Sequence, residues 1–157
     1  MSPLYKFLSL LVLCSILIVA AVLWENSNSP ANIEFITLGK TSFHTQLEPG
    51  IKEAVNQSKP IFVYFRSETC YWCMKFEEEA LSDKEITDLL NKEFVLISID
   101  TIKQKNAALN LNVRSTPYMI FFSKNGEEIS RIPGYLPKDE FLVKLNEVLE
   151  RLKVSQV

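Results

Sequence analysis

An apolar run, Ile61-Phe62-Val63-Tyr64-Phe65, leads within five residues to Cys70-Tyr71-Trp72-Cys73, and a helical pattern continues through Phe76 and Ala80. The chain must therefore fold so that a buried strand ends where a helix begins. Two cysteines with two residues between them at a helix start lie close enough to form a disulfide within one turn. A helix N-terminus favours negative charge, so Cys70 should ionise more readily than a free thiol. The thiolate is the form that attacks disulfides. Cys73 shares a helical face with Phe76 and Ala80, at i, i+3 and i+7, and should be less exposed. That asymmetry suits an attacking Cys70 and a resolving Cys73.

The chain has 157 residues and a formal charge of −2. Lys and Arg are interleaved with Asp and Glu, which argues against a nucleic-acid binder with its basic patch or stripe. Phe7 to Trp24 is an apolar run of 18 residues broken only by Ser9 and Ser15. As a helix it spans roughly 27 Å, close to the hydrocarbon core of a bilayer. Lys6 precedes it and Glu25 follows, an orientation that exports the rest of the chain. Residues 1–24 read as a membrane anchor or, through the small residues of Val19-Ala20-Ala21, as a cleaved signal. Cys14 reads as an inert apolar residue within that segment. Export places the domain in an oxidising compartment. Its two remaining cysteines are both in the motif, so a redox role fits them better than a structural staple.

Residues 25–42 read as a solvated tether ending in a first strand over Ile33 to Leu38, and residues 43–157 as one domain. Leu47, Ile51 and Val55 have helical spacing, and Lys59-Pro60 ends that helix. A strand over Ile61 to Arg66 precedes the cysteine helix. Ser82-Asp83-Lys84-Glu85 has the form of a capping box, with Ile86, Leu89 and Leu90 as the apolar face that follows. A strand is expected from Phe94 to Ile99, a short helix near Lys103 to Leu109, and a strand over Tyr118 to Phe122. Lys124-Asn125-Gly126 is a hairpin turn, Glu128 to Ile132 returns antiparallel, and Pro137 opens a helix lined by Phe141, Leu145, Val148, Leu149 and Leu152. The pattern predicts an α/β fold with a central mixed sheet flanked by helices, preceded by one N-terminal apolar helix. A Cys-x-x-Cys within such a pattern is a cue for a thioredoxin-like redox motif.

From Phe43 to Leu152 the sequence resembles the thioredoxin-like family. The landmarks are Cys70-Tyr71-Trp72-Cys73, Thr116-Pro117 before an apolar strand, and Gly134 after the hairpin. The resemblance implies a thioredoxin-like fold in which the Thr116–Pro117 bond is cis and faces the cysteines. It implies that the backbone of Thr116 pairs with an extended substrate strand, while Tyr71 and Trp72 shape the contact. No cofactor beyond the redox-active disulfide Cys70–Cys73 is implied. The Tyr-Trp dipeptide, the Glu-rich helix and the Gly-Tyr-Leu-Pro segment are most similar to exported, membrane-linked thioredoxin-like proteins of bacteria. That likeness points to the inner membrane with the domain on the periplasmic side, or to the periplasm if the segment is cleaved. The partners implied are protein thiols and disulfides, and a membrane electron-donor protein.

The chain departs from cytosolic thioredoxins at two places. Tyr64 stands where they bury an acid, and Thr69 where they carry a Trp before the first cysteine. Glu68 reads as an exposed loop carboxylate and Glu77-Glu78-Glu79 as a solvated helix face, which leaves the proton acceptor for Cys73 unassigned. Oxidising family members often place a His between the cysteines. Tyr71 and Trp72 carry no positive charge, so the Cys70 thiolate is less stabilised and the disulfide a weaker oxidant. The reading is a thiol:disulfide oxidoreductase working in the reducing direction. A disulfide oxidase or isomerase, and a non-catalytic binding or metal-handling module, stand as alternatives. Two thiolates are half of a structural zinc site, and the sole histidine, His44, reads as incidental.

Overall fold

The computed structural model describes residues 12–19 and 34–154. The chain divides into two units, Met1–Asn32 and Ile33–Val157. In the first, residues 12–19 are helical, and the Ser15 hydroxyl donates to the Val12 carbonyl at 2.7 Å. The rest of the apolar run from Phe7 to Trp24, and the tether after it, lie outside the described residues. Among the described residues no helix is long and apolar enough to cross a membrane.

The second unit runs β1 (Phe35–Leu38), β2 (Thr41–His44), α1 (Leu47–Gln57), β3 (Ile61–Arg66), α2 (Tyr71–Glu79), α3 (Lys84–Glu93), β4 (Val95–Asp100), α4 (Lys105–Asn110), β5 (Tyr118–Phe122), β6 (Glu128–Pro133) and α5 (Lys138–Val154). The six strands form one sheet in the order β1-β2-β4-β3-β5-β6. The β2, β4 and β3 pairings are parallel, whereas β1–β2, β3–β5 and β5–β6 are antiparallel. This is the mixed sheet the pattern predicts.

β3 is apolar throughout because both of its faces are covered. Phe62 and Tyr64 point into one core with Leu96, Phe76, Leu90 and Phe141, while Val63 and Phe65 point into another with Ile97, Ala108 and Ile120. Burying each such side chain contributes about 1.5–3 kcal/mol before the entropic cost of ordering it. On the second face Gly50 brings α1 onto β4: a Cβ there would stand 2.5 Å from the Ile97 side chain.

One local expectation is corrected and one element is added. The cap of α3 is Asp83, whose carboxylate accepts from the Glu85 and Ile86 amides at 3.0 and 3.3 Å. Ser82 instead donates its hydroxyl to the Glu77 carbonyl. The charged acceptor suits the positive helix end better than a hydroxyl does. Thr41–His44 is a strand that the sequence reading leaves unmarked. It turns back from β1 through Gly39 at φ +60°, where a Cβ would lie 2.3 Å from the Leu81 carbonyl oxygen. That oxygen accepts from the Lys40 amide at 2.8 Å, tying the hairpin to the α2–α3 link.

The register sets the location of the functional end. Phe65 of β3 pairs with Tyr118 of β5, so the exit of β3 towards Cys70 lies beside the entry of β5 from Pro117.

His44 is buried in β2, with its ring 4.5 Å from Phe35 and its Nδ1 without a partner among the described residues. Burial lowers its pKa below the ordinary 6.5, against the opposing pull of Glu53. The unfolded chain therefore takes up this proton at a pH where the folded chain refuses it, and acidification favours unfolding. Lowering the pH from about 7.5 to about 5.5 should destabilise the wild type more than His44→Gln, as measured by urea unfolding. Equal losses would show that His44 stays accessible to protons in the folded state.

Candidate active site

Cys70 is the cap of α2. Its backbone is extended, and its Sγ accepts from the Cys73 amide at 3.1 Å. The first turn closes through Cys73 N–H and Met74 N–H on the Cys70 carbonyl, both at 3.1 Å. The two cysteines are joined by a disulfide with their Cα atoms 5.2 Å apart. Cys73 is fully buried against the first core, whereas Cys70 is half-buried at its margin. Cys70 is thus the more exposed of the two and is held where amide dipoles favour an anion. The other is sheltered.

Beneath the pair lies a polar network that the sequence reading misses. The Arg66 Nε donates to Glu77 Oε1 at 2.7 Å, with side-chain exposures of only 10% and 13%. The Tyr64 hydroxyl donates to the same oxygen at 3.2 Å and lies 3.4 Å from the Cys73 carbonyl oxygen. Glu77 is therefore a paired carboxylate one turn beyond Cys73, which corrects its reading as solvated face; Glu78 and Glu79 are exposed as expected. Burial, reinforced by the Glu77 charge, pushes the Tyr64 phenol well above its ordinary range, so it stays a neutral donor. The signal was present in the spacing. Tyr64 and Arg66 share one strand face, and Glu77 stands at i+4 from Cys73.

The Thr116–Pro117 bond is cis, as the resemblance implies. The Pro117 carbonyl accepts from the Gly134 amide at 2.9 Å, and Gly134 takes φ +85° to make this bond. Pro117 is buried and Thr116 half-buried. Tyr71 and Trp72 pack edge to face at 5.3 Å and are 64% and 49% exposed, so they are surface groups at the helix start. Trp72 meets Tyr135, the tyrosine of the Gly-Tyr-Leu-Pro segment, at 5.1 Å, a contact the sequence reading does not foresee. Lys75 places its ammonium 5.4 and 5.2 Å from the centres of these two rings. The Tyr135 phenol donates to Glu79 and is pushed up to about 12 by that bond.

Glu68 is exposed and pairs with Lys103 at 2.5 Å, in keeping with its reading as a loop carboxylate. Cys14 is a free cysteine in the helical segment of the first unit. Among the described residues no cluster of three or more His, Cys, Asp or Glu side chains is arranged to hold a metal ion.

Residues 47–149 match the family described as a thioredoxin-like domain, and the chain belongs to that family. The thiol:disulfide interchange protein DsbD of Campylobacter jejuni (strain RM1221) is 27% identical over 129 residues, covering 77% of this chain and 22% of that protein. The chloroplastic thioredoxin-like protein HCF164 of Oryza sativa subsp. japonica is 28% identical over 92 residues, covering 58% and 34%. The chain thus spans about a fifth of the length of the DsbD relative. Among solved structures, a thioredoxin from Thermus thermophilus has a TM-score of 0.64 at 28% identity, covering 72% of this chain and 91% of that one. A DsbH oxidoreductase has a TM-score of 0.57 at 16% identity, covering 80% and 98%, a likeness of fold.

Glu77→Gln leaves the nearly buried Arg66 guanidinium without its carboxylate. It should lower the unfolding free energy by about 2–4 kcal/mol, below the cost for a fully buried pair because a tenth of each side chain is wet. Urea titration of the oxidised protein measures this. A loss under about 0.5 kcal/mol would mean that water screens the pair as it screens a surface one.

Proposed function

We propose that this thioredoxin-like disulfide oxidoreductase works in the reducing direction on protein disulfides outside the cytoplasm. It is held at the bacterial inner membrane by residues 7–24, or freed into the periplasm if that segment is cleaved. The single observation that carries the reading is the asymmetric pair at the start of α2. Cys70 is half-buried and caps the helix through its sulfur, while Cys73 is enclosed.

In the reduced protein the Cys70 thiolate attacks one sulfur of a partner disulfide. A Cys70–partner bond forms, and the partner's other sulfur leaves as a thiolate. Cys73 then gives up its proton and attacks Cys70 Sγ, forming the Cys70–Cys73 disulfide and releasing the partner's second sulfur. Two electrons pass to the partner, whose two sulfurs end as thiols. Glu77 lies one turn beyond Cys73 and is linked to its carbonyl through Tyr64, and it is the carboxylate assigned here to receive the Cys73 proton. Pro117 and the backbone of Thr116 dock the partner strand, and Tyr71 and Trp72 form the rim of the contact. The neutral Tyr71-Trp72 dipeptide favours reduction, because nothing between the cysteines carries a charge to hold the thiolate form.

An exported reductant is oxidised by its surroundings unless it is resupplied. A membrane protein that passes electrons outward to the pair is therefore part of the proposal. Mass-shifting alkylation of intact cells should find Cys70 and Cys73 mostly reduced, and oxidised once the electron-donor protein is deleted. A fully oxidised pair in unperturbed cells, with a potential well above about −200 mV, would favour the oxidase or isomerase reading.

A further inference from the structure

A groove of about 440 Å³ opens beside Thr116, between that residue and the start of α4. Val113 is buried within its lining, while Ile102 and Leu109 line it and remain 70% and 45% exposed. Lys105 and Arg114 also line it, and no residue that lines it carries a carboxylate. Both cations are exposed and form no ion pair among the described residues. Their neighbour Lys103 is neutralised by Glu68, and Asp100 spends its carboxylate on the Ile102 and Lys103 amides. On a chain of net charge −2 this acid-free hollow, apolar on its walls and cationic at its rim, is a local exception.

We infer that this groove is a specificity site for the disulfide partner. It takes the stretch of an extended polypeptide that runs past Thr116, and it selects an aliphatic side chain next to a carboxylate. The inference rests on the proposed function, since the polypeptide reaches the groove only by pairing with the backbone of Thr116. Charge complementarity commits it to an acidic occupant: the aliphatic side chain covers Ile102 and Leu109, and the carboxylate meets Lys105 and Arg114. Attraction between such groups near a surface acts on encounter and register more than on the chemistry at sulfur.

The test uses the full chain, reduced, with disulfide-linked peptides whose cysteine is flanked on both sides by leucine and then by aspartate, lysine or serine. Wild type should reduce the aspartate peptide roughly fivefold faster than the lysine peptide at low salt, the size expected of two partly screened pairs. Added salt should shrink the difference. The double variant K105E/R114E should invert the order, while reduction of uncharged bis(2-hydroxyethyl) disulfide stays unchanged and shows the fold and the cysteines intact. Equal rates on the three peptides would overturn the groove and leave the oxidoreductase standing. Failure to reduce any of the disulfides would sink both. If the double variant lost binding to anionic vesicles while its peptide rates matched wild type, the cations would serve a lipid surface and the inference would be wrong.

Discussion

Everything at the functional end depends on one junction, where the central strand β3 stops and α2 starts around a cysteine sulfur. A helix leaves its first amide groups unpaired, and the chain must satisfy them. Here Cys70 Sγ takes the Cys73 amide, so the group that caps the helix is also the group we propose to react with the partner. An oxygen cap would satisfy the amide equally well and could not exchange electrons. The junction is stiff because β3 is paired on both sides, parallel to β4 and antiparallel to β5. The same pairing with β5 brings the cis Thr116–Pro117 turn to this end of the sheet.

Beneath this junction the fold tolerates a charged pair that it could have replaced with packing. Arg66 and Glu77 are almost dry, and a pair in such a place stabilises little beyond a well-packed apolar alternative, though breaking it is costly. Tyr64 stays neutral and links Glu77 to the Cys73 carbonyl. A carboxylate reached from the helix, rather than from the strand, thus connects through Tyr64 to the Cys73 main chain. The strand position itself is given to a phenol whose ring packs on Phe76 at 5.5 Å.

Most of the architecture was legible in the sequence because it is written in local periodicity. The order of strands and helices from Leu47 onward, the hairpin at Gly126 and the helix lined by Phe141, Leu145 and Leu152 all follow from spacing within a few residues. Asp83 outcompetes Ser82 for the α3 cap because both lie next to the helix start, and a motif cannot weigh a carboxylate against a hydroxyl. β2 was obscured by its shortness: it pairs with the equally short β1, and its other neighbour, β4, lies some fifty residues away in sequence. Glu77 sat in a run of three glutamates, and only the placement of Arg66 and Tyr64 separates it from the other two. Tyr135 meets Trp72 across a distance in sequence that no local rule spans. Contacts of that kind depend on the finished fold.

The central claim is the division of labour between the two sulfurs, with Cys70 reacting outward and Cys73 inward. It is tested most directly by reducing the protein and following the alkylation of each cysteine by iodoacetamide, resolved by mass spectrometry of the peptides. The account predicts that Cys70 is modified at least about tenfold faster at neutral pH, because it is accessible and its thiolate is favoured by the helix start. Equal rates, or a faster Cys73, would contradict it.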